Sequence, residues 1–551
     1  MRKIIFTLLP FYLFTFLPLS ALAGEAANYE IVPRPQSIVE QKGAPFILEE
    51  GVEILAPAGL QGEAQFLKQY IKEVTWNDLP IVGKRDKKVR YIELAVSPTV
   101  KEQEGYVMTV SSKGVTITGG SAAGVFYGIQ TLRKAVGEGV IMNPVVITDA
   151  PRFGWRGMHL DCSRHFFPVA FVKKFIDLLA LHNMNRFHWH LTDDQGWRIE
   201  IKKWPKLLSV GSRRSGTIIG TNSDIDDGIP YGGCYTQEEA REIVAYAAAR
   251  HITVVPEIDM PGHMLAALAS YPELGCTGGP YQVGHYWGVY KDVLCVANPK
   301  VYEFVEDVLT EIMDIFPSEV IHIGGDETPT DKWLQCAKCQ ALQKGLPAPK
   351  QSAGEFEPLT SKLSPLQAHF TKRVFDFLTS KGRRALGWDE ILDGSPQDAM
   401  IMSWRGTEPG ARAAETGHDV VMAPTTYCYF DYQQVEDTQF EPSRCGGCIP
   451  IEKVYALDPA PDSISATARQ HILGVQANLW TEYMTNEALV EYQALPRMSA
   501  LAEVQWSMPA RKDYKAFSER LTRLTTLFDL YHYTYAKHLW PERQIPSRWQ
   551  F

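Results

Sequence analysis

Two adjacent carboxylates close the stretch Val320-Ile321-His322-Ile323-Gly324-Gly325-Asp326-Glu327-Thr328. The run opens as an apolar strand and breaks at two glycines. A buried strand feeding a Gly-Gly turn delivers acidic side chains at its C-terminal end, where α/β barrels keep their chemistry. Asp326 and Glu327 there suit acid/base work on a bond whose leaving group needs a proton. A solvated loop pair and a divalent-metal ligand pair are the alternatives, and this stretch alone leaves them open.

The elements that must position such a pair are legible around it. From Phe153 onward the pattern is strand, loop, helix, repeated. The strands read as Trp155–Leu160, Arg186–Leu191, Thr253–Glu257, Val320–Ile323, Arg384–Gly387, Met400–Ser403, Val420–Met422 and Leu473–Ala477. Helical periodicity covers Phe171 to Leu181, Gln237 to Arg250, Val301 to Ile315 and Leu366 to Ser380. Eight such units over about 350 residues have the count and size of a (β/α)8 TIM barrel, here spanning 151–507, with less regular later repeats. Residues 24–150 read as a small α+β domain, with an amphipathic Ala64 to Glu73 and a Gly124 to Leu132 helix packed on its sheet. The glycines at 119, 120, 124 and 128 lack a following Gly-Lys-Ser/Thr, so close helix–sheet packing explains them better than a phosphate loop. Residues 508–551 form a mostly helical tail that packs on the barrel.

Residues that could do chemistry fall just past the strands. Arg156 and then Asp161-Cys162-Ser163-Arg164-His165 accompany the first, and His188-Trp189-His190-Leu191-Thr192-Asp193-Asp194 the second. Pro256-Glu257-Ile258-Asp259-Met260-Pro261-Gly262-His263 follows the third. Trp388, Trp404 and Trp480 end strands five, six and eight, with Tyr429 and Asp431 after seven and Glu482 beyond Trp480. Aromatic walls with carboxylates and an arginine between them stack flat sugar faces and pair with ring hydroxyls. A metal reading competes: His188-x-His190 puts both imidazoles on one side of a strand, and Asp193, His263 and Asp326 could complete a hydrolase centre. No lysine or further histidine follows at later strand ends to finish a dinuclear site, and packing or support explains both histidines.

The motifs HIGGDE, HLTDDQGWR, PEIDMPGH and NLWTE, in this order, resemble those of glycoside hydrolase family 20, the β-N-acetylhexosaminidases, and the resemblance spans nearly the whole mature chain. It implies an exo-acting enzyme that removes terminal GlcNAc or GalNAc with retention and needs no cofactor or metal. Neighbouring carboxylates suit a substrate-assisted route, in which the sugar's own acetamide oxygen attacks the anomeric carbon. Carried over residue by residue, Glu327 is the general acid/base and Asp326 holds the acetamide nitrogen. Trp388, Trp404 and Trp480 box the acetamide, and Tyr429 donates to its carbonyl. Arg156, Asp431 and Glu482 bind outer hydroxyls, His263 and Asp193 support Glu327, and Asp259 lines the same wall. Burial beside Asp326 leads us to expect a raised pKa for Glu327. Two other outcomes fit parts of the pattern: a lacto-N-biosidase-like enzyme releasing a disaccharide, and a noncatalytic glycan-binding protein on the same scaffold.

The resemblance implies a glycan partner, and composition disfavours two other classes. A formal charge of −9 disfavours nucleic acid and anionic membrane surfaces. Arg2 and Lys3, an apolar run from Ile4 to Leu19 and Ala21-Leu22-Ala23 read as a signal peptide over 1–23, cleaved near Gly24, for export to a bacterial periplasm or the medium. No later apolar run is long enough to span a membrane, and oligomeric state is left open. There are nine cysteines, and export favours disulfides among them. Cys276 and Cys295 flank a loop they could staple. Cys336-x-x-Cys339 and Cys445-x-x-Cys448 could join in a four-thiolate zinc site or pair as disulfides, and Cys162 reads as buried.

Overall fold

The computed structural model describes residues 26–540 apart from 138, 222, 348–363 and 438–440. The leader read at 1–23 and the last stretch of the tail, 541–551, lie outside the described residues.

Eight parallel strands close into a barrel in chain order: Trp155–Asp161, Arg186–His190, Thr253–Glu257, Val320–His322, Arg384–Trp388, Met400–Ser403, Val420–Met422 and Ile472–Ala477. Alternation along each strand sorts their side chains. Phe187 and Trp189 join the core under the helices, whereas Trp155, Val255, Leu386, Met400 and Val421 fill the lumen. Register then levels the polar residues at the C-terminal end. Asp161 pairs with His190, His190 with Glu257 and Glu257 with His322, so strand-end chemistry lies in one layer.

The regular helices begin where local signals say they should. Thr236 and Glu239 form a reciprocal cap on Gln237–Ala248, and Asn298 caps Pro299–Ile315 with proline in its first turn. Val169–Leu181 and Pro365–Ser380 complete the set. The later half is looser: Asp389–Gly394 is a 3-10 turn after strand five, and three short helices, Thr425–Cys428, Ile451–Ala456 and Ala466–His471, follow strand seven.

Ahead of the barrel a seven-stranded mixed sheet carries the helices Gln61–Thr75 and Ala122–Ala135. A side chain at Gly128 would meet Ile117 Cγ2 at 2.4 Å, so this glycine permits the helix to lie directly on the sheet. The final helix, Tyr514–Leu530, leans on both parts. Arg520 pairs with the buried Glu503 at 3.0 Å, and Tyr531 just beyond donates to Glu73 at 2.7 Å. Among the described residues no helix is long and apolar enough to cross a membrane.

Candidate active site

The Gly-Gly turn after strand four requires both glycines. Gly324 and Gly325 have φ of 68° and 97°, and a Cβ on Gly324 would fall 1.7 Å from Asp259 Oδ1. Asp259 lies beneath this turn, where its Oδ1 accepts from the Gly325 N–H at 3.2 Å. It therefore supports the turn that carries Asp326, which differs from the wall position expected of it. Burial, reinforced by Asp326, holds the Asp259 carboxyl well above the usual range.

Asp326 and Glu327 face the same imidazole. His263 Nε2 lies 3.6 Å from Asp326 Oδ2 and 3.7 Å from Glu327 Oε2. Behind it, His263 Nδ1 meets Asp193 Oδ1 at 3.1 Å and Asp194 Oδ2 at 3.3 Å. Burial alone would depress this imidazolium, but Asp193 and Asp259 outweigh it and hold His263 well above its usual pKa. The expected raised pKa of Glu327 is reversed. The His263 imidazolium, 3.7 Å away, holds Glu327 low against the opposing effect of burial, and the Glu327 side chain is 42% exposed. Asp326, only 13% exposed, is the raised member: burial pushes it up to about 6 against His263.

Aromatic rings surround this pair. Trp388 and Trp480 have centroids 5.8 Å apart, and Tyr429 lies 6.1 Å from Trp404, nearly parallel to it, and 6.5 Å from Trp480. Buried carboxylates fix two of the indoles. Trp388 Nε1 donates to Glu257 at 2.9 Å and Trp404 Nε1 to Glu390 at 2.8 Å. Burial, with Asp431 and Asp326 nearby, keeps the Tyr429 hydroxyl protonated and so a donor. Three carboxylate oxygens, Asp326 Oδ1, Asp431 Oδ1 and Glu482 Oε2, are buried without a hydrogen-bond partner among the described residues. Unpaired buried acceptors are costly, and a polyhydroxylated amide would satisfy all three.

The sequence has relatives of known family. Residues 153–509 match glycosyl hydrolase family 20, catalytic domain, and residues 28–150 match glycosyl hydrolase family 20, domain 2. The chain belongs to glycosyl hydrolase family 20. It is 42% identical over 459 residues to a beta-hexosaminidase of Porphyromonas gingivalis, covering 81% of this chain and 56% of that one, so it spans just over half the length of that relative. The family 20 exo beta-N-acetylglucosaminidase of Vibrio harveyi in complex with N-acetylglucosamine superposes with a TM-score of 0.80 at 32% identity, covering 94% of this chain and 79% of that one. For the family 20 beta-N-acetylhexosaminidase of Streptomyces coelicolor A3(2) the values are 0.78 and 30%, covering 94% and 98%.

Within this family 20 barrel one assigned residue is misplaced. Arg156 sits near the N-terminal end of strand one, where its guanidinium makes two 2.8 Å bonds to Glu104 of the preceding domain and a third to Tyr127. It joins the two folded parts and does not reach the pocket. Arg164, past the C-terminal end of the same strand, takes the pocket position. Its Nη2 pairs with Asp193 Oδ2 at 2.8 Å, its guanidinium covers the Trp480 ring at 5.1 Å, and its charge acts on Glu482. Asp193 thus lies between two cations, Arg164 and His263, which hold it ionised against burial.

Glu257 and Glu390 carried no role in the sequence reading, although each lies on a strand-end motif. Glu257 also engages both strand-two histidines of the competing metal reading, meeting His188 Nε2 at 3.0 Å and His190 Nδ1 at 2.5 Å, and it meets His322 Nδ1 at 2.9 Å. The cysteines regroup too: Cys336 and Cys339 gather with Cys276 and Cys295, while Cys445 lies beside Glu482.

Proposed function

We propose that this chain is an exo-acting β-N-acetylhexosaminidase, cleaving terminal non-reducing GlcNAc or GalNAc by a retaining, substrate-assisted route. The observation that carries the reading is the pairing of a buried, unpartnered Asp326 oxygen with an aromatic box and a more exposed Glu327. Asp326, as the carboxylate, accepts the acetamide N–H and so turns the carbonyl oxygen toward the anomeric carbon. That oxygen forms a bond to the anomeric carbon as the glycosidic C–O bond breaks. Glu327 gives its proton to the departing oxygen, then takes one from the water that opens the oxazolinium ring. Tyr429 donates to the acetamide carbonyl, and Trp388, Trp404 and Trp480 hold the group in its attacking position. Arg164, Asp431 and Glu482 take the outer hydroxyls, which supports a closed pocket for one terminal sugar.

Hydrolysis of 4-nitrophenyl β-GlcNAc, β-GalNAc and β-glucoside tests this reading. Turnover of the acetamido sugars with the glucoside nearly inert is expected. Silence on all three refutes exo-hydrolysis, and release of a disaccharide from a longer aryl glycoside would then support the biosidase alternative. The leader at 1–23 supports export to the periplasm or medium. A mature N-terminus near Gly24 is expected by N-terminal sequencing of the exported protein, and an uncleaved Met1 would refute it.

A further inference from the structure

We propose that Cys276, Cys295, Cys336 and Cys339 bind one structural zinc ion that clamps the loop after strand three to the loop after strand four. The four sulfurs all lie within 4.8 Å of one another. Three of the separations are 3.8 Å for Cys276–Cys339, 3.7 Å for Cys295–Cys339 and 3.9 Å for Cys295–Cys336. Ligands at the usual Zn–S distance in a regular tetrahedron are about 3.8 Å apart, and a disulfide would bring two of them to about 2.05 Å. Cys339 is in contact with both loop cysteines and Cys295 with both cysteines of the Cys-x-x-Cys motif. Pairwise disulfides would give each sulfur one partner, whereas a tetrahedral ion gives each sulfur three equal neighbours.

The backbone prepares the same arrangement from both sides. Cys336 stands at the N-cap of the helix Ala337–Gln343, and Cys339 lies in that helix's first turn. This spacing turns both sulfurs to one side. A bridge between Gly275 and Leu294, with the Cys295 N–H donating to Leu274 at 2.8 Å, draws together the two ends of the loop that bear Cys276 and Cys295. Cys295 and Cys339 are fully buried and the other two half-buried. A closed set of four thiolates leaves no open position for substrate or water, so the ion's role is structural.

Its place gives the clamp a function. Cys276 and Cys295 lie on the segment that leaves His263, and Cys336 and Cys339 on the segment that leaves Asp326 and Glu327. Trp333 Nε1 donates to Leu294 at 2.8 Å, the Leu294 N–H to Pro261 at 3.1 Å, and Lys291 pairs with Asp331 at 2.9 Å across the same seam. The ion would fix the spacing between the imidazole and the carboxylate pair by holding the loops that carry them.

The full exported chain, purified without chelator or an immobilised-metal step, is analysed for metals by mass spectrometry and for thiols by alkylation under denaturing, non-reducing conditions. About one zinc per chain, with these four cysteines alkylated, is the expected result. Absence of zinc overturns the proposal, whether the four cysteines are then oxidised in pairs or free, and so does iron in its place. The Cys336→Ser/Cys339→Ser pair should lose the ion and several degrees of Tm, while Cys445→Ser/Cys448→Ser should keep it. Zinc retained by the first pair and lost by the second would refute the assignment of ligands. The measurements on the unaltered chain stand if a variant fails to fold.

Discussion

The order of the two carboxyl pKa values makes a prediction about the sign of a pH limb. The pair takes its first proton on Asp326, at about 6, because Asp326 is buried and the His263 imidazolium holds Glu327 low. The reaction needs the opposite placement, with the proton on Glu327 and Asp326 ionised. Both placements carry one proton, so the free enzyme competent for an alkyl glycoside disappears as pH rises through 6. For such a substrate kcat/KM, which reports the free enzyme, should fall about tenfold per pH unit above 6, roughly 50-fold between pH 6 and 8. A 2,4-dinitrophenyl glycoside needs no acid and only an ionised Asp326. Its kcat/KM should rise through 6, about tenfold between pH 5 and 7. The two profiles therefore slope in opposite directions over the same range. Glu327→Gln should give the rising form with the dinitrophenyl glycoside, and Asp326→Asn should remove the limb near 6. The distance from His263 Nε2 to Asp326 Oδ2 is 3.6 Å, an attraction of about 5 kcal/mol at an effective dielectric of roughly 20. Replacing His263 with Phe should then move the dinitrophenyl limb upward by roughly one to three units, the lower end if water enters the space. Profiles of the same slope for both leaving groups, or an unchanged limb in Asp326→Asn, would refute the reasoning.

Four further outcomes follow from the same geometry. Glu327→Gln should lower kcat/KM by about 10²–10⁴ on alkyl glycosides but far less on dinitrophenyl ones, and equal losses would exclude the acid role. Arg164→Met should cut kcat/KM at least about tenfold, since Asp193 loses its 2.8 Å partner and Trp480 its cover. Arg156→Met should instead cost about 1.5–3 kcal/mol of stability, because Glu104 loses its cation at the domain junction while keeping the Asn185 N–H at 3.0 Å; kcat near wild type at low temperature, with a lowered Tm by calorimetry, is the check. Gly324→Ala should abolish activity and depress Tm, because its φ is 68° and the new Cβ would collide with Asp259. Wild-type behaviour there would mean that the turn can move.

Legibility in the sequence followed the range of the interactions. The barrel strands could be read because parallel strands buried on both faces are near-continuous apolar runs, as in Met400–Ser403 and Val420–Met422. Asp326 and Glu327 could be read because a strand, two glycines and two carboxylates are local. Arg156 and Arg164 both belong to the first strand's neighbourhood, and only direction along it separates them. Five residues at about 3.3 Å each put Arg156 roughly 16 Å from Asp161, at the opposite end of the barrel. Strand polarity, applied to that residue, would have chosen Arg164. The cysteine grouping was beyond such reasoning, because nothing local says that the loop after strand three meets the one after strand four. The pKa order is the longest-range property of all. It depends on His263 being charged, which depends on Asp193 being ionised, which depends on Arg164 at 2.8 Å on its far side. Charge thus alternates outward from the carboxylate pair through three more side chains from three different strand-end loops. Removing any one of them should change where the proton rests on Asp326 and Glu327, even though only Arg164 among the three is proposed to touch the sugar.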